Sequence, residues 1–257
     1  MIPKIIHYCW FGHGEMSPLM KKCIKSWKKY CPDYQIIEWN EDNFDVNSCV
    51  WTKEAYECKK YAFVADYVRL KVLYECGGIY LDADQELLKP IDTFLNLKCF
   101  LGFACDFDIS AGFIGAELNN PFIFECLNYY NQKIFLRDNV MDLKPNTNII
   151  TQLLLNYGLK LNNSYQNVNN VTIFPQNYFC PTYADRADNV IDDNTVSIHH
   201  WAMTWRRPSE IKNFKKAKMH SSAWYKTIIF IRYLPNKFIR KCFGNKLIDS
   251  IKESLKK

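Results

Sequence analysis

The stretch from Tyr61 to Glu86, YAFVADYVRLKVLYECGGIYLDADQE, constrains the fold more than any other part of the chain. It reads as a helix, a glycine stop, a short buried strand and two carboxylates two residues apart. Gly77 and Gly78 end the helix, because glycine accepts the left-handed turn that closes it. Ile79-Tyr80-Leu81 is an apolar run of strand type. It delivers Asp82 and Asp84 at its C-terminal end, where open α/β sheets place their ligands. Asp66 and Arg69, three residues apart, are neighbours on one face of the helix.

The preceding residues supply the rest of a sheet. Lys4 to Trp10 (KIIHYCW) reads as a first strand, with a loop at 11–14. Ser17-Pro18 starts a helix to about Lys29, with Ser as cap and Pro at the first helical position. Tyr34 to Trp39 is a second strand, so the unit is strand–helix–strand and the sheet is parallel. Glu54 to Cys76 reads as one long helix. Further strands are expected at Cys99 to Asp106 and Val171 to Phe174, and a helix from Asn120-Pro121 to about Tyr130.

A chain of 257 residues with 48% hydrophobic content buries a real core. Its charge is uneven. Arg206 to Lys257 holds 15 Lys+Arg against 3 Asp+Glu, or +12, so residues 1–205 carry −6 of the overall +6. The expected organisation is a catalytic domain at 1–205 and a basic, aromatic-rich helical extension at 206–257. The 11 cysteines are scattered, odd in number and form no Cys-X-X-Cys pair, which speaks against zinc ribbons and for reduced thiols in the cytosol. The N-terminus lacks the apolar core and cleavage site of an export signal, and the longest apolar runs are too short to span a bilayer.

Each candidate residue has a plain reading and a chemical one. Trp10 is core packing or a flat surface for a nucleobase, and its place at the ligand edge of the sheet favours stacking. Asp66 and Arg69 are a salt-bridged pair steadying a buried helix, or a carboxylate for sugar hydroxyls beside a guanidinium for phosphate oxygens. Asp82 and Asp84 are a solvated turn, or two oxygen ligands for Mn²⁺ or Mg²⁺ with Glu86 behind them. His199 and His200 alternate direction in an extended chain, so one of the two reaches a site.

Three segments taken together resemble glycosyltransferase family 32. They are IPKIIHYCWFG at 2–12, CIKSWKKYCPDYQIIEWNED at 23–42 and YAFVADYVRLKVLYECGGIYLDADQELLKPID at 61–92. A more distant likeness is to the glucosyltransferase domains of large clostridial toxins. The resemblance implies a GT-A fold, an α/β nucleotide-binding sandwich that uses a nucleotide-sugar donor and a divalent cation and retains anomeric configuration. By the same resemblance Trp10 stacks on the base with Asn40 nearby, and Asp66 and Arg69 bind the donor sugar and its phosphate side. Tyr80 and Asp82 contact ribose or sugar, and Asp84 ligates the metal most directly. Asp106 and Asp108 orient the acceptor or stabilise charge at the anomeric carbon. One of His199 and His200 completes the metal shell, Thr204 stands where serine is commoner, and Trp205 closes over the pyrophosphate. Asn146-Thr147-Asn148 occupies the place of a Gly-Pro element that is missing here, and no role is given to it.

The expected partners are a nucleotide sugar, UDP- or GDP-linked, and an oligosaccharide or lipid-linked saccharide acceptor, in capsular or other surface polysaccharide synthesis. The basic extension suits peripheral contact with anionic lipid on the inner face of the cell membrane, and no nucleic-acid partner is expected. Two rival readings explain less. A Mg²⁺-dependent phosphatase would want Ser or Thr where Glu86 stands and leaves Asp66 and Arg69 unused. A membrane or nucleic-acid binding protein explains the extension alone.

Overall fold

The computed structural model describes residues 1–106, 108–131, 133–182 and 191–202. All of them fall in one compact unit, Met1–Arg206. Thr204, Trp205 and the basic extension lie outside the described residues.

The chain begins with β1 (Ile5–Cys9), α1 (Pro18–Tyr30) and β2 (Gln35–Trp39), the expected parallel unit. It continues with α2 (Val50–Glu57), α3 (Tyr61–Cys76), β3 (Gly78–Leu81) and β4 (Gln85–Leu87). Next come β5 (Cys99–Cys105), β6 (Asp108–Ile109), β7 (Phe113–Ala116), α4 (Pro121–Asn128), β8 (Leu136–Arg137) and β9 (Val140–Met141). The described part closes with α5 (Asn146–Asn156), β10 (Gln166–Val168), β11 (Val171–Phe174), α6 (Gln176–Phe179) and β12 (Ser197–His199).

The central sheet has the order β10-β11-β5-β7-β3-β1-β2, with β6 paired to β5. Strands β1, β2, β3, β5 and β11 run one way, and β7, β10 and β6 run against them. The sheet is therefore mostly parallel, as expected of this α/β sandwich, with single antiparallel strands inserted. Side chains alternate across it. Tyr80 enters a hydrophobic cluster with Trp51, Phe63, Val64 and Leu70 from α2 and α3. Its neighbours Ile79 and Leu81 enter the opposite cluster with Trp27 of α1, Phe100, Phe113 and Phe179.

One expected helix is two. The run read as Glu54 to Cys76 breaks between α2 and α3, where Lys59 adopts a left-handed φ of 55°. Trp51 and Ala55 already start the helix earlier, at Val50, with Cys49 as cap. A second difference is local: Asn146 to Asn148 form the first turn of α5 rather than a lead-in to it.

The turn from α3 into β3 needs its two glycines. Gly77 has φ 64° and Gly78 has φ 108°. A Cβ on Gly78 would lie 2.8 Å from the Ile5 carbonyl oxygen. Buried His7 secures the same turn. Its Nδ1 accepts from the Trp39 indole at 3.1 Å, which leaves the proton on Nε2, and Nε2 donates to the Gly77 carbonyl at 2.8 Å. The ten cysteines among the described residues are free thiols, most of them buried. No helix among the described residues is long and apolar enough to cross a membrane.

Candidate active site

The site begins on α3, a helix apolar on nearly every face and accordingly buried. Arg69 is 6% exposed, so its charge requires partners from the protein. It has them on every side. Nη2 meets Asp66 Oδ1 at 3.0 Å, and Nη1 meets Asp82 Oδ1 at 3.2 Å and donates to the Ala111 carbonyl at 2.7 Å. Nε donates to the Ala65 carbonyl at 3.3 Å, and the guanidinium lies over the Tyr80 ring, 4.6 Å from its centroid. A planar, fully bonded guanidinium is a rigid positive post.

Asp66 is held by Arg69 and accepts the Asn146 N–H at 3.3 Å. Burial pushes its carboxyl up to about 6, against the opposing pull of Arg69. Asp82 sits at the end of β3. Its Oδ1 takes both Arg69 and the Tyr80 hydroxyl, the latter donating at 3.1 Å. Its Oδ2 is left toward His199, 3.9 Å from Nε2.

Asp82 and Asp84 do not converge by strand alternation. Strand β3 ends at Leu81 and β4 starts at Gln85, and the motif is the turn between them, closed by Gln85 N–H to the Asp82 carbonyl at 2.8 Å. That turn is braced from behind. Trp27 of α1 donates to the Gln85 carbonyl at 2.6 Å, and the Gln85 amide donates to Phe179 O and Ser197 Oγ, each at 2.7 Å.

Strand β12 brings the last component. It pairs antiparallel with β4 in a register that sets His199 opposite Gln85. His199 Nε2 then lies 3.2 Å from Asp84 Oδ1, while Asp84 Oδ2 accepts the Ala202 N–H at 2.8 Å. Burial works against charge on both groups, but their mutual attraction prevails. The Asp84 carboxyl is held down at about 2 and the His199 imidazole well above its usual range. Single ligand atoms of Asp82, Asp84 and His199 all lie within 4.8 Å of one another.

His200 takes a different course: its Nε2 meets Glu86 Oε2 at 2.8 Å, and Glu86 also holds Lys22 at 2.9 Å. Of the two histidines, His199 stands in the carboxylate cluster and His200 stands beside it on Glu86. Asp108 is on β6 and accepts from Thr151 of α5 at 3.3 Å. Asn40 bonds within its own turn, to Glu38 at 3.0 Å and from Asp42 N–H at 2.9 Å. Trp10 is half-buried at the end of β1, with its indole donating to the Gly14 carbonyl at 2.6 Å.

Three residues of the site escaped sequence reasoning. Trp201 stacks on the His199 ring at 4.2 Å between centroids and donates to the Thr182 carbonyl at 2.7 Å. Gly112 passes so close that a Cβ there would lie 2.8 Å from Asp82 Oδ2 and 3.2 Å from His199 Cε1. Asn146, to which the sequence pattern gives no role, bonds Asp66 through its main-chain N–H at 3.3 Å and its side chain at 3.2 Å.

Residues 17–101 match the family described as "Glycosyltransferase sugar-binding region containing DXD motif". That match takes in α1, β2, α2, α3, the DXD turn and β4, and covers about a third of this chain. The chain is 30% identical over 128 residues to inositol phosphoceramide mannosyltransferase 3 of Schizosaccharomyces pombe, covering 48% of this chain and 36% of that protein. It is 28% identical over 200 residues to an uncharacterised glycosyltransferase of Acanthamoeba polyphaga mimivirus, covering 72% of this chain and 76% of that one. Among solved structures it is similar to the PaToxG glycosyltransferase at 24% identity and a TM-score of 0.47, over 60% of this chain and 69% of that one. The chain thus spans little more than a third of the length of the named fission-yeast relative.

Proposed function

We propose that the protein transfers a sugar from a UDP- or GDP-linked donor to a saccharide acceptor, with a divalent cation held by Asp82, Asp84 and His199. The observation that carries this reading is the convergence of those three ligand groups next to buried Arg69. Two carboxylates and an imidazole suit Mn²⁺ or Mg²⁺, and the crowded glycine at 112 leaves their inner edge clear. The proton that Asp84 holds on His199 must leave when a cation binds, as metal binding at an imidazole requires. When bound, the cation supplies a Lewis acid for the diphosphate of the donor.

The protein's own residues do the rest. Arg69 adds fixed positive charge at the phosphate side, and Asp66 holds sugar hydroxyls, so that much of the rate comes from positioning. Trp10 offers its face to the base. The working mechanism is retaining: the acceptor hydroxyl attacks the anomeric carbon on the face from which the phosphate leaves. The bond from that carbon to the phosphate oxygen breaks, and the hydroxyl proton passes to the departing phosphate. The mannosyltransferase names of relatives make a mannose donor the first to try. The +12 charge of residues 206–257 supports a peripheral station on the cytoplasmic membrane face and a lipid-linked acceptor of surface polysaccharide.

A thermal-shift screen of GDP-mannose, UDP-glucose and related donors, with and without Mn²⁺, tests the reading. One donor at a hundred times its Kd should raise stability by about 2.7 kcal/mol, or roughly 5–10 °C in Tm for a chain of this size, with Mn²⁺ present. No shift with any donor in either condition overturns it.

Gly112→Ala probes the metal site without touching a ligand. The new methyl must push Asp82, which Arg69 and Tyr80 pin from the other side. Mn²⁺ affinity, read by calorimetry, should fall by about tenfold or more with little change in melting. Unchanged Mn²⁺ affinity would remove Asp82 from the ligand set.

A further inference from the structure

Helix α5 starts without a cap of its own. Pro145 stands at its N-cap position and offers no side-chain acceptor. The N–H of Asn146, at the first helical position, is instead accepted by Asp66 Oδ2 at 3.3 Å, from a residue 80 positions earlier. The carboxylate that pairs with Arg69 therefore also caps a second helix, where the end of a helix favours negative charge.

The side chain of Asn146 fastens the same aspartate from another direction. Its Nδ2 donates to the Asp66 backbone carbonyl at 3.2 Å and to the Tyr130 hydroxyl at 2.9 Å, which commits both amide protons. Tyr130 is anchored in turn, edge-on to Trp51 at 4.9 Å and to Tyr67 at 5.9 Å between ring centroids. Asn146 is 2% exposed, and its Oδ1 has no hydrogen-bond partner among the described residues. Keeping an amide there with an unmet acceptor costs stability that an apolar side chain would not. Its two donated bonds tie Asp66 to the core.

We propose that Asn146 is a positioning residue for the donor sugar: gripping the Asp66 carbonyl with its side chain and the Asp66 carboxylate with its main chain, it gives that carboxylate one orientation toward sugar hydroxyls. The assignment rests on the donor reading above, in which Asp66 contacts the sugar and not the nucleotide. In Asn146→Ala the main-chain N–H persists but its tether to Tyr130 is gone, so the start of α5 drifts and Asp66 gains rotamers. Only ligand groups that touch Asp66 should register the change.

The experiment compares two classes of probe on the full chain with Mn²⁺: the nucleotide sugars GDP-mannose and UDP-glucose, and the diphosphates GDP and UDP. Asn146→Ala should weaken the preferred nucleotide sugar by about tenfold, the loss expected for one or two hydrogen bonds that order a charged group. The matching nucleoside diphosphate should bind as it does to the wild type. Tyr130→Phe, which removes one tie and no volume of note, should show the same selectivity at smaller size and guards against a folding defect in the first variant. Equal weakening of both probes, or unchanged nucleotide-sugar binding in both variants, overturns the assignment. A wild type that binds neither class with Mn²⁺ overturns the donor reading first, before any variant is compared, and this assignment with it.

Discussion

Asp84→Asn should lower sugar transfer by about a thousandfold or more and abolish Mn²⁺-dependent donor binding, with the fold intact. Asp84 is the acidic residue most deeply placed in the cluster: one oxygen faces His199 and the other takes the Ala202 N–H. An amide keeps the shape and can still accept from Ala202, so the backbone around β12 has no reason to move. What it loses is the negative charge that a hard cation requires. His199 also loses the group that holds its proton, and the imidazole returns toward neutrality, which limits the stability lost. The measurements are a transfer assay, Mn²⁺ calorimetry and melting on one preparation. Normal turnover in this variant would show that the cluster is not the metal site.

Arg69→Met should produce the largest loss of stability. Two carboxylates, Asp66 and Asp82, lean on this one guanidinium inside the protein. Removing one member of a buried ionic group leaves uncompensated charge and costs about 3–5 kcal/mol, or roughly 10 °C in Tm. The loss has a sign in pH. The folded pKa of Asp66 is already pushed up to about 6 by burial, and Arg69 is the main influence holding it from going higher. An acid with a raised folded pKa binds its proton more tightly when folded, so stability falls as pH rises from about 4 through that value. Without Arg69 the interval widens upward. The gap in Tm between variant and wild type should therefore be larger at pH 8 than at pH 5.5. A variant that melts with the wild type at both pH values would mean that Arg69 is not what supports the two aspartates.

Sequence reading reached the parts of this site that are local. Asp66 and Arg69 are three residues apart on one helix, and helical geometry alone makes them neighbours. The apolar run before Asp82 announces a strand end, and the paired glycines announce the turn before it. Tertiary contact decides the rest. The break between α2 and α3 depends on one left-handed residue, Lys59, in a stretch with no proline or glycine to mark it. The two carboxylates stand at a strand end in the sequence pattern, but they meet because a turn folds back to start β4. The choice between adjacent histidines hangs on the register of β12 against β4, and a slip of one residue would exchange them. Gly112 and Asn146 act through close approach to residues far away in sequence, and nothing in their own neighbourhood signals it.

The ladder between β4 and β12 also sets when the site can exist. Asp82 and Asp84 leave the ribosome more than a hundred residues before His199. Until Ser197 to His199 are added, β4 lacks its only partner strand among the described residues, and the two aspartates face one another without the imidazole. Such a non-local pairing is late and slow in folding. A growing or prematurely ended chain therefore holds the acidic half of the centre without the means to complete it. On the proposed function, a chain that stops ahead of Ser197 to His199 lacks the third ligand group, so it should neither bind Mn²⁺ as the full chain does nor transfer sugar.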